Sequence, residues 1–383
     1  MADLLCTLRK SVVLMLALAG IAAGSAARAD EADTPSALKL SGFVSLVGGR
    51  ISGSLPADYA GPTTIDGKDC PCYTADWGNA GIYREKFSFE PESRAGIQAK
   101  YTLNPQVNFV GQVVIRGSDT TPNVQWAYAS FSPTKSWEFQ LGRKRIPLYF
   151  YSDFQDIGAS YPWVTVPPEL YGWEATNYNG ASVRYKTSIG ESNLSASLFA
   201  GKETVKDSLY QRLYYDSKTK VVWNKLAGGD VELTRGALTL RGVYMQTTVR
   251  TTNPIEALDD TARLKAYGIA ANLDLDNWFV LTELTQLTRE FDAGYRVTAP
   301  AFTVGAGYHF GAWTPFLNYA SYKERTNDLD VYAPQSFKRA SLTLRYDLDA
   351  RSAIKGQVDR HKDVTHNFGG DVTVLRVSYD RLF

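Results

Sequence analysis

Apolar residues recur at every second position through most of this chain, in segments of about ten residues separated by turn-forming residues. In Ser341–Leu348 the leucines 342, 344 and 348 and Tyr346 share one face, and Ser341, Thr343, Arg345 and Asp347 share the other. Phe302–Phe310 and Asn193–Leu198 split in the same way. A period of two predicts β-strands with one apolar and one polar face. Arg184 and Arg345 lie in the middle of such strands. A basic side chain facing hydrocarbon costs about 2–4 kcal/mol at mid-membrane, so both arginines belong on a wet face. A Tyr-rich soluble β-sandwich array, the other fold with this period, would have to bury them with partners.

Seven tight turns, at Leu103–Gln106, Ser132–Lys135, Ser188–Glu191, Thr234–Gly236, Leu275–Asn277, Phe310–Trp313 and Asp349–Ser352, each join two strands. An opening strand at Leu38–Leu46 and a closing one ending at Phe383 bring the number to sixteen. The connections on the other side are long and variable: 52–84, 117–123, 144–178, 202–220, 250–263, 290–297, 323–337 and 361–371. Short turns at one rim and long loops at the other, with an even strand number, describe a closed transmembrane barrel. The last strand places Leu375, Val377 and Tyr379 outward and Arg376, Ser378 and Asp380 inward. The fold class expected is therefore all-β, a 16-stranded antiparallel transmembrane β-barrel.

The amino end predicts export. Arg9 and Lys10 precede an apolar run over Ser11–Ala23, and Ala27-Arg28-Ala29 is an A-x-A cleavage site, so residues 1–29 read as a signal peptide and 30–383 as the barrel. The run is too short for a membrane anchor helix, which needs about 20 apolar residues. Composition then narrows the partners. Basic and acidic residues nearly cancel, 41 Lys and Arg against 40 Asp and Glu, so no nucleic-acid partner is expected. Mean hydropathy slightly below zero fits a barrel whose strands are polar on one face. The abundant Tyr and Phe fit aromatic girdles at the two bilayer interfaces. Cys70 and Cys72 in Asp69-Cys-Pro-Cys-Tyr73 read as a loop-tip disulfide clip, although an extended chain would hold them near the upper distance limit. No metal or other cofactor is expected, because no His or Cys lies near enough in sequence to complete a ligand set.

The third long connection differs from the rest. It carries four prolines and many rings, among them Tyr149, Tyr151, Tyr161 and Trp163, where a plain surface loop would be polar. Those rings read as packing of the loop on the barrel wall before a track for a ligand.

Sixteen inferred strands, the Leu141-Gly-Arg-Lys-Arg-Ile-Pro147 segment entering that loop, and the terminal Phe383 together resemble the Gram-negative trimeric porins. The resemblance implies a cell outer membrane location, contact with its lipid and lipopolysaccharide, a homotrimer, and a water-filled channel for passive diffusion of ions and small hydrophilic solutes. It also implies that residues 144–178 fold into the lumen. Acidic residues of that loop, here Asp153, Asp156, Glu169 and Glu174, would then face wall arginines, here Arg116, Arg143, Arg184, Arg241, Arg345 and Arg376, across a constriction. Such a strip sets up a transverse field that favours polar over apolar solutes. Each arginine equally fits an ordinary wall residue paired to a neighbour, and Asp153 and Asp156 equally fit turn formers. Alternatives are a substrate-selective channel for small anionic or carboxylate solutes and a non-conducting structural barrel. An enzyme built on a barrel would need a nucleophile beside a histidine, and His309, His361 and His366 lie in no such motif.

Overall fold

The computed structural model describes residues 37–383, so the predicted signal peptide lies outside the described residues. Among the described residues sixteen long antiparallel strands form one closed sheet, to which the two-residue segment Arg325–Thr326 adds a short pairing with Val297 and Thr298. The first eight long strands are β1 (Leu38–Ser54), β2 (Arg94–Asn104), β3 (Val107–Arg116), β4 (Asn123–Phe131), β5 (Trp137–Arg145), β6 (Asn177–Ile189), β7 (Ser192–Val205) and β8 (Lys220–Arg235). The other half comprises β9 (Leu238–Asn253), β10 (Leu258–Asp274), β11 (Trp278–Phe291), β12 (Arg296–Tyr308), β13 (Trp313–Lys323), β14 (Ser336–Asp349), β15 (Ser352–Asp363) and β16 (Asp371–Leu382). All seven predicted tight turns join the strands expected of them.

Closure occurs on β1. Its first half pairs with β2 from Leu38↔Tyr101 to Ser45↔Arg94, and its length from Phe43↔Leu382 to Ser54↔Asp371 pairs with β16. Gly42 and Phe383 exchange backbone hydrogen bonds of 2.8 and 3.0 Å. Only glycine fits there, since a Cβ on Gly42 would stand 2.4 Å from the Phe383 ring. Above the start of β2, β1 bonds instead to the end of the first loop, through Gly49 and Ser88 (2.9 Å each way) and Ile51 N–H to the Arg84 carbonyl (3.0 Å). Every backbone group of a spanning segment must find such a partner in lipid.

The outward parity is apolar as predicted: Leu342, Leu344, Leu375 and Val377 are exposed while Thr343, Arg376, Ser378 and Asp380 are buried inside. Near the short turns, cross-strand aromatic pairs form a girdle: Trp137 with Tyr185, Trp278 with Tyr308 and Trp313 with Tyr346, with ring centroids 4.6 to 4.8 Å apart. Such amphipathic rings sit at the headgroup level.

Two expectations need correction. The connections predicted at 250–263 and 290–297 shrink to tight turns, because β9 and β10 continue pairing up to Asn253↔Leu258 and β11 and β12 up to Glu290↔Arg296. Their polar extensions stand above the membrane, where Arg250 pairs with Asp259 in water. The first loop is longer than predicted, running to the start of β2 and holding two short hairpins, Thr64–Ile65 with Lys68–Asp69 and Tyr73–Asp76 with Gly81–Tyr83. Cys70 and Cys72 are disulfide-bonded, and the chain bends so that their Cα atoms lie 4.4 Å apart, well inside the extended spacing.

Candidate pore lining and third loop

Proline ends β5. Pro147 follows two residues after Arg145, and with Pro162, Pro167 and Pro168 it denies the segment the N–H groups a further strand would need. Residues 146–176 instead make two single 3₁₀ turns, Ser152–Phe154 and Gly158–Ser160, and one helical turn, Pro168–Tyr171. Inward-pointing side chains of the wall hold this loop along its length.

Asp156 is the first anchor. Its carboxylate accepts from Arg116 at 2.7 Å and from Arg145, while Arg94 Nε donates to its carbonyl at 2.8 Å. Burial pushes the Asp156 carboxyl up, but the guanidinium groups of Arg116, Arg145 and Arg94 outweigh that and hold it below the usual carboxylate range. Next, Lys355 Nζ donates to the carbonyls of Gly158 (2.5 Å) and Trp163 (2.6 Å), and Arg345 to those of Ala159 (2.9 Å) and Tyr161 (3.1 Å). A side chain on Gly158 would collide with Asp380 Oδ1 at 1.9 Å, so this approach too requires glycine. Further on, Glu169 pairs with Arg339 (2.9 Å), which also meets Asp359 (2.8 Å). Asp359 meets Arg376 (2.7 Å), and Arg376 meets Glu92 (2.7 Å). All five of these side chains are shut off from water. Glu283 of β11 accepts from the Phe150 N–H (2.8 Å) and the Tyr171 hydroxyl (2.6 Å). Glu174 accepts from Gln211 (2.7 Å) and Trp223 (3.3 Å), and burial raises its pKa.

The rings of the loop pack outward from these anchors. Tyr149, Tyr161, Trp163 and Leu170 are buried against Trp223, Met245, Leu264, Phe279 and Phe316, inward-facing residues of β8–β13. Trp163 meets Phe316 edge to face at 5.1 Å. The wall here is apolar on both faces, whereas alternation predicts a polar lining.

What remains open lies on the side of β5–β9. A space of about 1510 Å³ is bounded by Asp153 and Phe154 of the loop and by Arg184, Lys186, Asp230, Glu232 and Arg241 of the wall, with Lys135 toward the short-turn rim. Arg241 leans on Asp230 (3.6 Å) and on the Pro147 carbonyl (2.5 Å). Arg184 makes only a 3.3 Å contact to the Ser197 hydroxyl, and among the described residues neither it, Lys186 nor Asp153 forms an ion pair.

The ten residues singled out in the sequence thus separate into groups. Asp153, Arg184 and Arg241 border the open space. Asp156 with Arg116, Glu169 and Arg376 belong to the dry anchors, Arg345 is a half-buried anchor that also meets Asp347 (2.8 Å), and Glu174 ties the loop's end to the fourth loop. Arg143 departs from its expected inward position. It pairs in register with Ala127 and Asn179, on the parity of lipid-facing Leu141, and its guanidinium bonds the Val124 carbonyl (2.7 Å) and Glu203 (2.6 Å). Sequence reading passed over Arg94, Arg145, Arg339, Lys355, Asp359, Glu283 and the lumen-side Lys186, although Arg339 shares parity with Ser341, Thr343 and Arg345, which it did place inward. Parity gives a facing direction but no partner.

A model of the Gram-negative porin family matches residues 13–366. The chain belongs to the Gram-negative porins. The porin is similar in fold to the anion-selective porin from Comamonas acidovorans, at 17% identity over 90% of this chain and 99% of that one, with a TM-score of 0.58. It is also similar to the trimer form of OmpT, an outer membrane protein of Vibrio cholerae (12% identity, 90% and 99% covered, TM-score 0.57). Salmonella typhi OmpF, solved with daunomycin, is 14% identical over 90% of this chain and 97% of that one, with a TM-score of 0.56. No curated protein sequence matches the chain. As an outer-membrane porin the protein forms a channel for passive diffusion of ions and small hydrophilic solutes, and its family and fold both point to transport rather than catalysis.

Proposed function

We propose that solutes cross this porin between the Asp153–Phe154 tip of the third loop and the wall formed by Arg184, Lys186, Asp230 and Arg241. The observation that carries this reading is the open space at those residues, set against the dry packing of the loop everywhere else. Asp153 on the loop and Arg184 and Lys186 on the wall, all bounding the open space, set a transverse field across it. Water and polar solutes align in such a field, and apolar solutes gain nothing to offset lost hydration. The unpaired basic groups at the open space, Lys135, Arg184 and Lys186, outnumber the unpaired acids Asp153 and Glu232, which supports a mild preference for small anions, carboxylates included. The likeness to an anion-selective porin fits that sign.

The working unit on this reading is a homotrimer. The outward face of β2–β5 is flattened by Ala99, Gly111, Ala127 and Ala129 beside Phe109 and Leu141, a surface suited to wall-to-wall contact. Residues 1–29 direct export and are removed, and the remaining apolar belt meets outer-membrane lipid, with lipopolysaccharide around the outer rim. The protein carries no catalytic role and needs no cofactor in this reading.

Purified protein in a planar bilayer tests all of this. Stepwise triple openings with a reversal potential tilted toward anions under a salt gradient are expected. A silent membrane would overturn the channel, and a cation-selective one would overturn the assignment of the conduit.

A further inference from the structure

The wall of the conduit carries its charge in columns. On β6, Arg184 and Lys186 stand two positions apart and both border the open space, and on β8 Asp230 and Glu232 do the same. β7 runs between them and offers hydroxyls at these two levels: Ser197 pairs in register with Arg184 and Asp230, and Ser195 with Lys186 and Glu232. Adjacent strands lie about 4.8 Å apart, so the basic and acidic columns stand roughly 10 Å apart across a floor of serine.

At the upper level Arg184 leans over β7 to the Ser197 hydroxyl (3.3 Å), and Arg241 of β9 is drawn to Asp230 (3.6 Å) and to the Pro147 carbonyl (2.5 Å). Arg241 pairs in register with Glu232, yet its guanidinium turns to Asp230 instead. The lower level is therefore left open. Among the described residues neither Lys186 nor Glu232 makes an ion pair or a side-chain hydrogen bond, and both border the open space. The third loop brings Phe150 and Phe154 to the same space, and the Phe154 ring is 48% exposed, an apolar face held in water. About 680 Å³ of the space stays clear of the wall atoms, within the roughly 300–1,000 Å³ of sites that hold small molecules.

We propose that this bay takes a zwitterionic solute of dipeptide length, with its carboxylate at Lys186 and Arg184, its ammonium at Glu232 and an apolar side chain against Phe154. An extended dipeptide spans about 7 Å between its charged ends, and the Lys and Glu side chains, leaning toward each other, cover the rest of the roughly 10 Å between columns. A simple anion finds only the basic column and a simple cation only the acidic one. A solute with both charges at this spacing meets both, and its peptide group lies over the serine hydroxyls. The inference rests on the conduit reading above and names the solute class that the same wall retains, where that reading gives the wall only a net preference among ions.

Single-channel recording in a planar bilayer at neutral pH tests it. Glycyl-phenylalanine is added beside its N-acetyl form, which lacks the ammonium, and its C-terminal amide, which lacks the carboxylate. The free dipeptide should stay in the channel about two- to fivefold longer than either derivative, read from current noise, the range of one solvent-exposed ion pair. That comparison uses the parent protein alone and needs no variant. Lys186→Met and Glu232→Gln should each shorten the free dipeptide's stay by the same factor, and Phe154→Ala should shorten it for glycyl-phenylalanine but not for glycylglycine. A conducting, anion-tilted channel that holds the free dipeptide no longer than its derivatives overturns this inference and leaves the conduit standing. So does retention lost in Asp153→Asn but kept in Glu232→Gln, which puts the ammonium on the loop. A silent or cation-selective channel overturns the conduit reading itself.

Discussion

Two carboxylates three positions apart in the third loop, Asp153 and Asp156, have opposite surroundings. Asp153 borders open water with no ion-pair partner, while Asp156 is buried between Arg116 and Arg145. Their local sequence treats them alike, and what separates them is which wall residues the fold brings within reach, something no pattern along the chain encodes. Asp153→Asn should move the reversal potential toward anions with stability unchanged. Asp156→Asn should leave the guanidiniums of Arg116 and Arg145 short of a buried partner, at a cost of about 3–5 kcal/mol read from the denaturant midpoint, with a smaller change in selectivity. Acidity separates Asp156 from Glu174 in the same way. The carboxyl of Asp156 is held low in the fold, so its contribution is complete above the ordinary Asp value of about 3.9 and disappears only as pH falls through its depressed one. Glu174 is raised by burial, so the fold favours its protonated form, and that stabilisation is lost as pH climbs from the ordinary Glu value of about 4.3 through the raised one. Glu174→Gln should therefore flatten the fall in unfolding midpoint across that upper window while leaving the acid limb, set in part by Asp156, in place.

Strands were legible wherever one face is apolar and the other polar, which is why seven turns and the parity of β14 and β16 emerge from the sequence alone. Legibility failed in two physical situations. Where β9 and β10 rise above the membrane, Arg250, Arg263 and Lys265 stand on the outward parity and the apolar alternation that marks a strand is gone, so paired backbone reads as loop. Where the third loop packs inside, Leu264, Ala266 and Ala270 alternate with Tyr267 and Ile269, both faces are apolar, and the period of two fades. The inner apolar wall is thus the imprint of the loop on the strands. Ile269→Arg, facing lipid, should cost about 2–4 kcal/mol in a lipid-based unfolding titration if it lies near the midplane. Trp163→Ala should cost about 3–5 kcal/mol of loop packing and be visible as added current noise and brief conductance steps as the loop loosens.

At the scale of the whole molecule, closure rests on the twelve-position seam where β1 meets β16, and the last residue takes part in it. Gly42→Leu should push the Phe383 ring out of its place, and deletion of Phe383 should remove both backbone bonds to Gly42. Either change should lower the fraction of protein that runs as a compact barrel on an unheated detergent gel. The lumen beside that seam is filled by ions sealed from solvent, whereas the conduit on the far side is lined by ions in contact with it. Dissolved electrolyte distinguishes the two populations. Between 0.1 and 1 M the screening length contracts from about 10 Å to about 3 Å, so the preference exerted by Arg184, Lys186 and Asp153 on passing ions should fade with concentration. Arg339, Arg376, Asp359 and their neighbours sit where no counterion reaches, and the plug they hold keeps its shape in brine. One bilayer, taken through a concentration series, should therefore lose its discrimination while its channel geometry persists.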